Sequence, residues 1–344
     1  MKLQERIDLL VKLRNYLMTD SPEWAAIKDN AERQNGWFTQ LFINLAIKNI
    51  VNNFLDPDKL KDFVSWYAIP DEQINPKKIG LVMAGNIPLV GFHDWLCIFL
   101  SGNYAFVKPS SKDIVLIKHI IEKLSEWSGE IIYQTVFPDM LKGCDAYIAT
   151  GSNNSSRYFD YYFSKYPHII RRNRTSVAIL TGQESAADLE KLAGDVNQYY
   201  GLGCRNVTKL YVPKGYDFIP LLASFKEYTG FADHNKYKNN YDYQLAILLL
   251  NNKYYMTNGA VLLVENEAAF SAISQLHYEF YTGNPKEILV ALQNNNDIQC
   301  VIGNGLVGFG EAQQPSLTDF ADGVDTIRFL LELGTADVRH EKKT

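Results

Sequence analysis

The chain has 344 residues, 47% hydrophobic and 13% aromatic, enough for one large or two medium domains with an ample core. A formal net charge of −5 gives no general attraction to nucleic acid, and no apolar run approaches the roughly 20 residues of a membrane-spanning helix. Cys97, Cys144, Cys204 and Cys300 stand too far apart for a CxxC metal clip, and the charged start "MKLQERIDLL" reads as neither leader nor anchor, so a cytoplasmic protein with reduced thiols is expected.

Residues 1–65 read as helices. Leu3, Ile7, Leu10 and Leu17 mark one apolar stripe, Trp37, Leu41, Leu45 and Phe54 another, and "DPDKL" (56–60) gives a cap followed by proline at the first helical position. From "IGLVMAG" (79–85) strands and helices alternate. Strands are expected at 104–109, 146–151, 176–180, 209–213, 260–266 and 298–303. Helices are expected at 114–127, 155–165, 186–199, 217–228 and 268–280, and the polar stretch "DHNKYKNNYDYQ" (233–244) reads as a surface excursion. The alternation predicts an α/β protein with parallel sheet covered by helices on both faces.

Three strand ends carry candidate chemistry. "AGNIPLVGFHDW" (84–95) joins a strand to a helix start, where unpaired backbone amides attract negative charge and the Asn86 amide adds a donor. "GNYAFVKPSSKD" (102–113) ends a strand on Lys108, a residue able to bond ribose hydroxyls or phosphate; Ser110 and Ser111 are small enough for close approach of a nucleotide. "IATGSNNSSRYF" (148–159) again runs strand, Gly151-Ser152, helix, a turn whose amides suit a pyrophosphate. Each also has an ordinary reading as turn chemistry or a solvated strand-end lysine.

In "GLGCRNVTKL" (201–210) Cys204 stands between flexible glycines and Arg205, directly ahead of a strand-like run. Backbone amides near a helix end, and Arg205, are expected to lower its pKa from about 8.5. Cys97 and Cys300 sit in apolar runs and read as core, Cys144 as structural. His93, His168, His234 and His277 would each allow a Cys–His hydrolase, but nothing in the sequence pairs one with Cys204. Tyr158, Tyr162 and Tyr166, at helical spacing, read as packing a helix onto the sheet.

Taken in order, these stretches resemble the aldehyde dehydrogenase superfamily, and within it the acyl-CoA reductase (LuxC-like) family. "NGWFT" (35–39), "RTSVAIL" (174–180), "GLGCRNVTKLYVP" (201–213), "LHYEFY" (276–281), "IQCVIG" (298–303) and "FGEAQQPSLTDFADGVDTIRFL" (309–330) extend the likeness over nearly the whole chain. The resemblance implies an aldehyde dehydrogenase-like fold: a helical N-terminus and Rossmann-type cofactor domain over 1–178, rejoined by 304–344, and an α/β catalytic domain over 179–303. It places the nucleophile at Cys204, an oxyanion donor at Asn86, a ribose contact at Lys108 and the pyrophosphate turn at Gly151 and Ser152. Hydrolytic relatives carry a water-activating glutamate some 35 residues before the nucleophile; here no acidic residue stands between Phe163 and Glu184. The acyl group is therefore expected to pass between thiols. Relatives that prefer NAD have a glutamate three residues after the lysine; Ser111, beside Lys112, predicts NADPH as the reductant, with NADH as the alternative. No Glu-x-Phe-Gly-Pro segment occurs, so the nicotinamide-ribose contacts stay unassigned.

The implied activity is reduction of an acyl-CoA, in particular a fatty acyl-CoA, to the aldehyde. A reductase of acyl phosphates and a non-catalytic scaffold binding an acyl carrier stay open as alternatives. The candidate partners are the small-molecule acyl thioester, an acyl carrier protein and a second copy of the chain, as a homodimer, with no nucleic acid and no membrane span.

Overall fold

The computed structural model describes residues 1–293 and 295–341, with side chains as far as residue 333 in the last helix. The chain forms two compact units: residues 1–172 with those from 315 onward, and residues 173–314. The expected boundary at 178/179 falls inside a strand that belongs wholly to the second unit, and the return to the first unit begins at 315 rather than 304. Residues 342–344 of the expected returning segment lie outside the described residues.

The first unit opens with four helices, α1 (Leu3–Leu17), α2 (Pro22–Gln34), α3 (Gln40–Asn49), which runs into a π-helical turn (Ile50–Phe54), and α4 (Pro57–Trp66). Their starts are chemically marked. Ser21, Thr39 and Asp56 each accept a backbone N–H from the first turn, and proline opens α2 and α4. Ile7, Leu10, Leu13 and Leu17 form the buried face of α1. In α3 the buried residues are Phe42, Ile43, Ala46 and Ile47, while Leu41 is exposed. The expected stripe through Leu41 was one residue out of phase, because the cap at Thr39 sets where the helix begins.

The unit continues with β1 (Lys78–Val82), α5 (Phe92–Ser101), β2 (Tyr104–Lys108), α6 (Val115–Trp127), α7 (Ile131–Gln134), β3 (Thr135–Val136), β4 (Ala146–Thr150), α8 (Asn153–Phe163) and β5 (His168–Arg171). All five strands are parallel, in the order β3-β2-β1-β4-β5. The order reverses between β1 and β4, so the chain leaves these two strands in opposite directions, as at the switch point of other open α/β sheets. The short β5 escaped the sequence reading because "HIIR" lacks a long apolar run.

The second unit contains β6 (Thr175–Ile179), α9 (Ala186–Asn197), β7 (Val207–Pro213), α10 (Ile219–Ser224), α11 (Asn235–Leu250), β8 (Met256–Thr257), β9 (Leu262–Glu265), β10 (Gln275–Tyr281), α12 (Pro285–Gln293) and β11 (Ile298–Ile302). Its sheet runs β11-β6-β7-β10-β9-β8, with only the β8–β9 pair antiparallel. The sheet is thus mixed, where the sequence suggested parallel throughout.

One further expectation fails here. Residues 268–280 are not a helix: the C-terminal part is β10, a strand flanked on both sides, and Ser274 at φ 69° breaks any helix before it. "SQLHYEFY" mimics helical spacing because an interior strand buries both faces and so loses its alternation. Residues 233–244, read as a surface excursion, do lie at the surface, and most of them form α11, whose only buried residues are Tyr237 and Leu248. So little burial leaves no apolar stripe to read.

The chain returns to the first unit as α13 (Thr326–Glu341). Leu317, Phe320, Ile327 and Leu330 enter the same core as α1, α5 and the parallel sheet. No helix among the described residues is long and apolar enough to cross a membrane.

Candidate functional site

In the first unit the sequence-selected residues share one edge of the parallel sheet. Asn86 lies in the loop after β1, Lys108 is the last residue of β2, Ser110 and Ser111 form the turn that follows, and Gly151 and Ser152 follow β4. Asn86 and Ser110 are half-buried; Lys108, Ser111 and Ser152 are exposed. Lys108 Nζ donates to the Asp139 carbonyl at 2.7 Å, a contact it must exchange to bind a ribose. Ser152 caps α8 by accepting the Ser155 N–H at 3.3 Å. Gly151 has no room for a side chain: a Cβ there would lie 2.8 Å from Phe159 and 2.9 Å from Ser155. Gly151 thus stands as bare backbone at the start of α8, beside the β1/β4 switch.

Two buried side chains missed by the sequence reading hold these loops. Asp113, directly after the Ser110–Lys112 turn, accepts the Leu89 N–H at 2.7 Å through Oδ2. That bond fixes the Asn86 loop at a leucine in the left-handed region, φ 57°. Gly85 meanwhile packs on Ser110, whose Cβ and Oγ would both stand 2.6 Å from a Cβ at residue 85. Asn35 donates to the Lys112 carbonyl at 3.2 Å, so the "NGWFT" stretch helps to support the Ser110–Lys112 turn. The signal for Asn35 was present in that quoted stretch; an isolated Asp113 gave none. Its carboxyl faces inward, leaving Ser111 and Lys112 as the exposed residues of the turn.

In the second unit Cys204 is half-exposed, in the turn between α9 and β7. The expected helix ends early, at Asn197, and the chain passes through Tyr199, Tyr200 and Gly201, all left-handed at φ 54°, 56° and 73°. No helix begins near Cys204 along the chain, since β7 follows at Val207. The helix end expected nearby is that of α9, followed by the turn Gln198–Gly201, and a C-terminal helix end leaves free carbonyls rather than amides. Other groups hold the turn instead. Asn206, fully buried, accepts the Gly203 N–H at 2.7 Å and donates to the carbonyls of Asp195, Val196 and Gln198 at 2.9–3.2 Å. Ser176 Oγ donates to the Cys204 carbonyl at 3.1 Å and lies 3.0 Å from Cys300 Sγ. Cys300 is half-exposed rather than core; Cys97 and Cys144 are buried.

The four histidines have local roles. His93 Nε2 bonds the Leu317 carbonyl, His168 Nδ1 that of Tyr166, and His277 Nδ1 that of Ala268; His234 Nδ1 accepts the Tyr237 N–H at the start of α11. Burial lowers the pKa of His277, as expected for an imidazole held neutral. The tyrosines of α8 are a correction. Tyr158 and Tyr162 are exposed, and the helix packs through Phe159 and Phe163, the latter stacked on Tyr147 at 4.1 Å; Tyr166, just beyond the helix, does pack edge-on against Tyr147 at 5.2 Å. Spacing identified a common face without showing which of two aromatic faces turns inward. Among the described residues no group of three or more His, Cys, Asp or Glu could hold a metal ion.

No family model and no curated protein matches the chain. Solved structures do. The aldehyde dehydrogenase of Bartonella henselae is similar over 88% of this chain and 74% of its own, with a TM-score of 0.64 at 12% identity. The Mycobacterium tuberculosis aldehyde dehydrogenase solved with NAD+ is similar over 88% and 73%, with a TM-score of 0.61 at 14% identity. Aldehyde dehydrogenase 21 of Physcomitrella patens, solved with the reaction product succinate, is similar over 97% and 84%, with a TM-score of 0.61 at 12% identity. Likeness at such identity speaks for architecture, and the chain has the aldehyde dehydrogenase-like α/β fold.

Proposed function

We propose that the chain is an NADPH-dependent acyl-CoA reductase that releases an aldehyde through a covalent intermediate on Cys204. The observation that carries this reading is the half-exposed cysteine in a turn fixed by Asn206 and Ser176, on a fold shared with aldehyde dehydrogenases. The Cys204 sulfur attacks the thioester carbonyl; the new C–S bond forms and the bond to the CoA sulfur breaks, expelling CoA thiolate. Asn86 Nδ2 and the Cys204 backbone N–H are assigned to the oxyanion of the tetrahedral stage. Gly151, Ser152 and Lys108 are assigned to the pyrophosphate and ribose of the cofactor, and Ser110 and Ser111 to its adenosine end. When bound, the nicotinamide supplies the hydride that takes the acyl group to the aldehyde level.

Two features favour a thiol over water as acyl partner. No acidic residue lies between Phe163 and Glu184, and Glu184 is committed to its own turn, accepting the Thr181 and Gly182 N–H groups at 2.6 and 3.0 Å. The exposed pair Ser111 and Lys112 favours a 2′-phosphate, hence NADPH.

The test is incubation with a series of acyl-CoAs and NADPH, following loss of reduced cofactor and acylation of Cys204 by mass spectrometry. Cys204→Ala is expected to abolish both, and Asn86→Ala to lower kcat by about 10²–10³-fold. Wild-type turnover in Cys204→Ala would end the proposal, and turnover of acyl phosphates but not acyl-CoA would redirect it.

A further inference from the structure

We infer that Gln313 is a further residue of the Cys204 site and that Asp195 is the positioning residue that holds it there. The inference rests on the reading of Cys204 as the acyl-carrying nucleophile. Asp195 lies near the end of α9 and is fully buried. Its two carboxylate oxygens accept the N–H groups of Gly310 and Ala312, at 2.7 and 3.2 Å. Gly310 stands at φ 83°, the left-handed conformation that lets neighbouring amides converge on one anion.

Gln313, next along, is itself more than nine-tenths buried. Its amide lies against the residue that precedes Cys204: a Cβ at Gly203 would stand 3.6 Å from Gln313 Oε1 and 3.8 Å from Nε2. From the other side Gly203 is held by Asn206, which also binds the backbone carbonyl of Asp195. One aspartate therefore anchors both walls of the cysteine turn, Gln313 through its carboxylate and Asn206 through its carbonyl. That arrangement gives the amide of Gln313 a fixed place against the backbone of the cysteine turn. It also accounts for glycine at position 203, where an alanine Cβ would lie 3.0 Å from Asn206 Oδ1 as well.

The clamp is poised to respond to pH. Burial pushes Asp195 up to about 7, and the nearby Glu311 charge pushes the same way, while the two backbone N–H bonds favour the carboxylate. The other groups facing it are Tyr228, which feels the Asp195 charge, and Lys191, whose Cβ and Cγ pack on Gly310. The ionised form accepts both N–H bonds. Protonation weakens one of them and loosens the Gly310–Gln313 segment from the turn.

The test is the rate of Cys204 alkylation by iodoacetamide as a function of pH, read by mass spectrometry on the full chain, with buried Cys97 and Cys144 as internal controls. Wild type is expected to show an inflection near 7 besides that of the thiol, and Asp195→Asn to lose it. Gln313→Ala is expected to slow alkylation roughly tenfold, part of what an ångström of misplacement costs a reacting group. A role confined to folding would lower the melting temperature without moving either readout. Unaltered rates and pH profiles in both variants overturn the inference. If Asp195→Asn does not fold, Gln313→Ala decides alone. Wild-type Cys204 reacting no faster than the two buried thiols would instead count against the nucleophile reading, and the inference would fall with it.

Discussion

At the scale of single residues, Asp113 shows how a buried carboxyl shapes a loop. It holds Leu89 in a left-handed conformation that costs a branched residue about 1–2 kcal/mol. Its Oδ1 has no hydrogen-bond partner among the described residues, and burial pushes its pKa well above the usual carboxylate range. The neutral acid is thus favoured in the folded chain. Stability from this residue is highest below the unfolded value near 4, and declines as pH rises toward the folded value. Asparagine keeps an acceptor for the Leu89 N–H and removes the titration. Urea unfolding followed from about pH 4 upward should therefore show a smaller loss with rising pH in Asp113→Asn than in wild type; equal losses would exclude the assignment.

Among elements, the turn from α9 to β7 is constrained by both backbone and side chains. Tyr199 and Tyr200 adopt left-handed φ values in succession, which non-glycine residues do only where surroundings dictate it. Tyr200 is stacked on His234 at 4.6 Å and packed by Phe231 and Tyr237, and Asn206 ties the preceding helix end to Gly203. Asn206→Ala would leave one N–H and three carbonyls without this partner. With an unsatisfied buried group worth about 1–3 kcal/mol, a loss of roughly 3 kcal/mol or more is expected by denaturant titration. A loss below about 1 kcal/mol would mean that other groups hold the turn.

Over the whole molecule, the first unit is closed by a segment that returns from the far end of the sequence. Arg171, at the end of β5, is buried in an ion pair with Asp94 of α5 and donates to Thr326 Oγ1 of α13 at 2.7 Å. Tyr67 adds a bond to Asp325 at 2.9 Å, and burial together with that carboxylate pushes the Tyr67 phenol up to about 12. Removing one partner of a buried pair costs about 3–5 kcal/mol, because the other charge is stranded. Arg171→Ala should lose that much, whereas Arg171→Met with Asp94→Leu should recover most of it, as measured by chemical denaturation. A double variant no better than the single would show that shape, not charge, governs this junction.

The sequence by itself determined the alternation of strands and helices and the capped helical start, because parallel strands and amphipathic helices leave local periodic marks. The resemblance singled out Cys204 and the strand-end residues of the first unit. What it missed is non-local. β10 read as a helix because an interior strand buries both faces, α11 read only as a surface excursion because it buries so little, and the tyrosine face of α8 lost the interior to Phe159 and Phe163. Asp113, Asp195, Asn206 and Gln313 act through bonds and contacts to backbone distant in sequence or concealed in turns. Tertiary structure alone decided their roles, since a buried polar group takes its meaning from the partners that folding brings to it.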